Sequence, residues 1–116
     1  MKLILAIIRP ERLEAVQTEL RKVLDEKDNY RLTVQSVEGH GAQQGEVEHF
    51  RGREIRPRLI PKLQVTIGVN DPYVQPAVDA IIRGARTGAV GDGKIFVLPL
   101  DDCIRIRTGG RGTEAI

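Results

Sequence analysis

Two stretches of the chain repeat one another, and that repeat constrains the fold more than any other feature. Offset by 62 residues, Pro10, Ala15, Val16, Leu20 and Arg21 fall on Pro72, Ala77, Val78, Ile82 and Arg83. An apolar run precedes each proline. Residues 3–8 are all apolar, a length suited to a strand buried on both faces. Leu63, Val65, Ile67 and Val69 alternate with Gln64, Thr66, Gly68 and Asn70, the period of a half-buried strand. A helix follows each strand. Pro10 and Pro72 take first-turn positions, where a missing N–H costs nothing, and Asp71 reads as the second cap. Leu13, Val16, Leu20 and Val23 form one apolar stripe, and Val74, Val78, Ile81, Ile82 and Ala85 the other. Pro76 lies past the free positions, so a ragged start is predicted for the second helix. Residues 32–37 and 95–98 read as strands, and Ile104-Arg105-Ile106-Arg107 alternates as one more. The chain thus reads β-α-β twice, an α+β, ferredoxin-like arrangement with an antiparallel sheet. Right-handed crossovers place both helices on one face.

Length and charge narrow the function. At 116 residues and 12.9 kDa the chain is read as a single domain, 1–116. No apolar run reaches the roughly 20 residues of a membrane-spanning helix. The first apolar run stops at Arg9-Pro10, too short for a signal peptide, so a cytoplasmic protein is the simplest expectation. One cysteine, Cys103, rules out an internal disulfide framework and a Cys-rich zinc site. The formal charge of +2 arises from one segment: Arg51, Arg53, Arg56, Arg58 and Lys62 stand against Glu54 alone. A uniformly basic nucleic-acid binder is not described by this pattern.

The first strand also predicts self-association. Leu3, Leu5 and Ile7 point one way and Ile4, Ala6 and Ile8 the other, and both sets are apolar. Helices cover only one of those faces. Each aliphatic side chain buried on the other is worth about 1.5–3 kcal/mol, so a homo-oligomer with sheets packed inward is expected. The charge of the C-terminal segment argues against its folding back over that face.

Residues 86–94 carry the most chemistry. Gly88 to Lys94 satisfies G-x-x-x-x-G-K, yet Ile95 stands where a Walker A loop has its magnesium-binding hydroxyl. The loop also leaves a helix and enters a strand, the reverse of a P-loop. What remains is glycines that let backbone N–H groups approach an anion, plus a lysine charge. Arg105 and Arg107, two apart on the expected strand, would project from one face and suit a polyphosphate. Residues 41–59 read as a loop of unusual length, which in a small domain usually means function or disorder. Phe50 is its sole aromatic residue, too little for a single-strand stacking platform. His40 and His49 read as exposed histidines and Cys103 as a small core residue. No Ser-His-Asp or paired-carboxylate set is present, which favours a non-enzyme.

Several segments together resemble the PII nitrogen-regulatory signal-transduction proteins. They are Ala6-Ile7-Ile8-Arg9-Pro10-Glu11, Gly39-His40-Gly41, Phe50-Arg51-Gly52, Ile60-Pro61-Lys62, Ala85-Arg86-Thr87-Gly88, Gly91-Asp92-Gly93-Lys94-Ile95-Phe96-Val97 and Ile104-Arg105-Ile106-Arg107-Thr108. The resemblance implies a homotrimer with nucleotide clefts between neighbouring subunits, where ATP and ADP compete. It implies that Mg²⁺ bridges the ATP phosphates and 2-oxoglutarate. By position, Gly91, Gly93 and Lys94 would hold phosphates, with Asp92 in the same nucleotide-binding turn. Arg105 and Arg107 would reach in from the adjacent subunit, and Thr33 and Gly41 would line the cleft. Gln43 would ligate magnesium and contact 2-oxoglutarate, which Lys62 and Lys94 would also hold. Residues 41–59 would be the effector-binding loop, and 108–116 a C-terminal loop or tail. Expected targets are an ammonium transporter, which would bring the protein to the membrane, a nitrogen-assimilation enzyme or a transcriptional regulator. No direct nucleic-acid partner is expected.

The chain departs from the family pattern in places. Ile55 stands where many members carry a modifiable tyrosine, and Arg53 where some carry a phosphorylated serine, so no covalent modification is expected there. Ala42 replaces an arginine that often approaches the terminal phosphate, which leaves the ATP-over-ADP preference open. Residues 27–31 fall in a short insertion. Two other readings stand beside this one: a small nucleotide-hydrolysing enzyme built on the Gly88–Lys94 loop, and a nucleic-acid-binding module using residues 51–62.

Overall fold

The alternation in the first apolar run divides the molecule into a covered and an open side. In the computed structural model, residues 1–25, 31–40 and 59–116 are described in full, and 48–50 and 53–55 by their backbone. The elements are β1 (Lys2–Ile8), a 3-10 turn (Pro10–Arg12), α1 (Leu13–Val23), β2 (Leu32–Gly39), β3 (Glu48–Phe50), β4 (Arg53–Ile55), β5 (Ile60–Val69), α2 (Asp71–Ala85), β6 (Lys94–Pro99) and a 3-10 turn (Gly112–Ala115). Four strands form one antiparallel sheet in the order β2-β5-β1-β6, while β3 and β4 pair with each other in a second, two-stranded sheet. Ile4, Ala6 and Ile8 of β1 and Val65, Ile67 and Val69 of β5 are buried beneath the two helices. The expected α+β, ferredoxin-like layout is present.

The repeat is real, but its spacing is 61. Ile4, Ala6, Ile8, Val16, Leu20 and Leu24 are all buried, and so are their counterparts Val65, Ile67, Val69, Ala77, Ile81 and Ala85. The prolines lie 62 apart because they enter their helices differently. Pro10 opens a 3-10 turn straight after Arg9, whereas Pro72 follows Asp71, itself already helical. The cap of α2 is therefore Asn70 rather than Asp71. The one-residue phase also rotates the buried stripe: Ala77, Ala80, Ile81, Gly84 and Ala85 face inward, while Val78 and Ile82 are half-exposed. Small residues win those positions because the helices touch. A Cβ on Gly84 would sit 2.6 Å from Val16 Cα. No ragged start occurs at Pro76, which lies within a continuous α2.

Three further expectations are corrected. Residues 104–107 are no strand: Ile104 makes one isolated bridge with Arg111 before the chain turns at residues 106–108. Gly109 N–H donates back to Arg105 O at 2.8 Å, with Gly109 at φ +72°, so the segment closes on itself instead of joining the sheet. Residues 41–59 are not loop throughout, because β3 and β4 pair as a hairpin. The C-terminal segment is not a loose tail either. It docks on the open face at Gly68, where a Cβ would lie 3.3 Å from Ile116 Cδ1. Ala115 is buried, and Thr113 O accepts from the Asn70 side chain at 3.1 Å. The rest of that face stays bare, with Phe96 51% and Leu98 42% exposed.

Candidate functional site

The glycine turn between α2 and β6 is organised by one carboxylate. Asp92 Oδ2 accepts from the amides of Thr87 at 2.8 Å and Gly88 at 2.9 Å. Its Oδ1 accepts from the Thr87 hydroxyl and from Arg9 Nε at 3.1 Å. These donors, the Thr87 hydroxyl foremost, hold the Asp92 carboxyl far below the usual carboxylate range. Arg9 also donates from Nη2 to Val90 O at 2.8 Å, and Lys62 Nζ donates to Gly91 O at 2.7 Å. Burial pushes the Lys62 pKa down, and Arg9 nearby adds to that shift, while Glu11 and Asp92 oppose it.

Those contacts decide which way the turn faces. A trans peptide points its C=O and N–H in opposite directions, and no peptide bond among the described residues is cis. With Val90 O turned to Arg9 and Gly91 O to Lys62, the N–H groups of Gly91 and Asp92 point away from those cations. Among the described residues, neither N–H finds a partner. Gly91 and Gly93 take φ values of +102° and +100°, which only glycine adopts without strain. Gly93 has a second constraint, because a Cβ there would lie 1.7 Å from Ile7 O.

Beneath the turn, on the open face of the sheet, lies a cleft of about 650 Å³. Lys62, Gln64, Lys94, His40 and Phe96 line it, together with Gly91, Asp92 and Gly93. It combines two lysines with main-chain donors that have no partner among the described residues, the chemistry of an anion site, with Glu38 as the one carboxylate side chain besides Asp92 in its lining. Asp92 takes part through its main chain, since its carboxylate is fully engaged within the turn. His40 is exposed at the end of β2. Among the described residues no cluster of three or more His, Cys, Asp or Glu side chains could hold a metal.

The remaining residues predicted for this site lie elsewhere or beyond description. Arg105 borders a separate cleft of about 330 Å³ with Arg31, Gly68, Cys103, Ala115 and Ile116. Its Nε donates to Ala115 O at 3.2 Å and its Nη2 to Ile116 O at 3.3 Å. Thr33, paired with Thr66, stands on the open face between the two clefts. Lys94 pairs with Ile7 and Gly68 with Leu3. Four residues along β1 and two strand spacings across therefore separate Lys94 from Gly68, about 17 Å at ordinary sheet dimensions. Arg107 is exposed in the turn, and it does not stand beside Arg105 on a strand. Gly41 and Gln43 lie outside the described residues, as do residues 27–30 of the insertion and the side chains of Arg53 and Ile55. In the sequence Arg9 and Thr87 stand out only as members of motifs, with no role of their own. The only local trace of their role is an aspartate inside a Gly-x-Gly turn, five residues after a threonine.

Comparison with known proteins places this arrangement. The family profile "Nitrogen regulatory protein P-II" matches residues 1–110. The chain belongs to the P-II family. It is 50% identical to nitrogen regulatory protein GlnK1 of Methanosarcina mazei over 118 residues, covering all of this chain and 97% of that protein. The P-II protein of Nostoc punctiforme is 45% identical over 116 residues, with both chains covered completely. Among solved structures, Arabidopsis thaliana PII bound to citrate matches with a TM-score of 0.77 and 36% identity, covering 99% of this chain and 91% of that one. The relatives are named as regulatory proteins, and this chain is a P-II nitrogen-regulatory signal transducer by family. Among the described residues, no helix is long and apolar enough to cross a membrane.

Proposed function

We propose that this P-II protein is a homotrimeric sensor that binds ATP or ADP, with 2-oxoglutarate and Mg²⁺ in the ATP state. Ligand occupancy would control a target protein through residues 41–59. One observation carries the reading: Lys62 and Lys94 line a cleft on the open face together with the glycine turn, whose Gly91 and Asp92 N–H groups have no partner among the described residues. A polyphosphate matches that set of donors, and the bare, apolar remainder of the face favours packing against further copies. Arg105 borders the other cleft, too far along the sheet to join the same chain's glycine turn, which supports its serving a neighbour's cleft, with Thr33, Arg107 and Gly41 alongside by position.

Lys62 supports the 2-oxoglutarate role. It is a buried ammonium that donates to the Gly91 carbonyl and has an arginine for a neighbour, so an arriving carboxylate stabilises it. Gln43 is the assigned magnesium ligand by position. When bound, that ion would bridge the negative charges of nucleotide and acid. A hydrolase reading fares worse, because Asp92, the carboxylate of the turn, is saturated with donors and held ionised well below the range of a general base. Control by ligands alone, without modification at Ile55 or Arg53, completes the proposal. The target is an ammonium transporter, a nitrogen-assimilation enzyme or a regulator.

Isothermal titration of the full chain tests this. ADP binds the wild type, Lys94→Ala loses that affinity at least tenfold, and Gln43→Ala abolishes Mg²⁺-dependent 2-oxoglutarate binding while sparing ADP. No heat with ATP or ADP at millimolar ligand refutes the nucleotide reading.

A further inference from the structure

We propose that Arg9 is the positioning residue of the glycine turn. It aims the turn's main-chain donors at a ligand's phosphate without itself contacting the ligand. This rests on the nucleotide reading above and deepens it.

Arg9 leaves the end of β1 immediately before Pro10 and reaches across 81 and 83 residues of sequence to two separate parts of the turn. Nε holds the Asp92 carboxylate, which in turn gathers the amides of Thr87 and Gly88. Nη2 holds Val90 O, and so sets the plane of the peptide whose N–H belongs to Gly91. The rigid guanidinium fork fixes carboxylate and carbonyl relative to one another. A turn with glycines at φ +102° and +100° needs such a clamp, since glycine leaves neighbouring peptides free to rotate. Lys62 fixes the following peptide through Gly91 O. Two successive N–H groups are thereby aligned before any ligand arrives, which removes the ordering cost from binding. Arg9 is one-fifth exposed and already committed to two acceptors, the arrangement of a support and not of a ligand contact.

The test uses the full chain, with calorimetric titration of ADP and of adenosine, which lacks phosphate. Wild type, Arg9→Gln, Arg9→Lys and Lys94→Ala are compared, each after a thermal melt. Arg9→Gln weakens ADP by about tenfold, the worth of one charge-assisted hydrogen bond, and leaves adenosine within about twofold. Arg9→Lys keeps the charge but not the fork, and recovers only part of the loss. An ADP affinity unchanged in Arg9→Gln, beside a loss in Lys94→Ala, overturns the role of Arg9 and leaves the nucleotide reading standing. Equal losses for ADP and adenosine also overturn it, because they mark general damage to the fold. Should Arg9→Gln fail to fold, Arg9→Lys decides: wild-type ADP affinity overturns the role, and a loss confined to ADP supports it. If the wild type binds no ADP, the nucleotide reading falls first and the role of Arg9 with it.

Discussion

Replacing Gly93 by alanine separates two costs that glycine turns usually combine. The first is conformational: φ is +100°, and a Cβ there costs about 1–3 kcal/mol. The second is a collision. The new methyl would lie 1.7 Å from Ile7 O, whereas real Cβ contacts stay beyond 3.0 Å, so one partner must retreat by more than an ångström. Ile7 cannot readily do so, because it pairs with Gln64 on one side and Lys94 on the other, inside the sheet. Overpacking against a fixed backbone adds about 1–3 kcal/mol, for a total of roughly 2–6 kcal/mol. Gly88→Ala is the matched control, since φ is +88° but no atom lies within 4 Å of the added methyl. It loses only the first cost. Thermal unfolding followed by circular dichroism, at one protein concentration, reads the difference. Gly93→Ala melts about 8 °C below Gly88→Ala, at about 4 °C per kcal/mol for a chain of this size. Equal melting points for the two variants would refute the argument that the approach to Ile7 dictates glycine.

Other expectations follow from the packing and charges. Gly84→Ala forces α1 and α2 apart, because the methyl would meet Val16 N at 2.7 Å; a loss of about 1–3 kcal/mol is expected in urea unfolding, and an unchanged midpoint contradicts it. Asp92 has a depressed folded-state pKa, so the unfolded state binds its proton first; its contribution is complete above the unfolded pKa of about 3.9 and lost as pH falls toward the folded value. Asp92→Asn therefore makes the acid-side fall in stability below about pH 4 shallower, and a slope identical to wild type counts against this. Lys62→Met exchanges a buried ammonium for a side chain of similar length, so it holds stability at pH 7 within about 1 kcal/mol while abolishing 2-oxoglutarate binding. A collapse of the fold, or retained binding of the acid, refutes that.

The scaffold was legible in the sequence because its signals are local and periodic. β1 announced itself by an unbroken apolar run, β5 by alternation, and α1 by Val16 and Leu20, both of which are buried. The apolar face of α2 is legible in part: Ile81 and Ala85 are buried as the pattern predicts, and Val74 and Val78 pack against the core, but Ala77, Ala80 and Gly84 carry no hydrophobic signal of their own. Ala77, Ala80 and Gly84 are buried for being small, which only the contact with α1 explains. Alternation misled at residues 104–107: two arginines and two isoleucines have the period of a strand, but Gly109 turns the chain back before it pairs with the sheet. In the site, Gly91, Gly93 and Lys94 stood out by composition. Arg9 did not, since its partners lie 81 and 83 residues away and its neighbours read as the end of a strand. Nothing in a linear pattern connects the two.

The two clefts at opposite ends of one sheet have a thermodynamic consequence. In the proposed assembly, a molecule gripped by the glycine turn of one chain and an Arg105-side group of the next would be shared between the two. Its binding energy then also holds those chains together, so ligand and assembly reinforce each other by mass action. On dilution, such a protein would shed its ligand and its neighbours in one step.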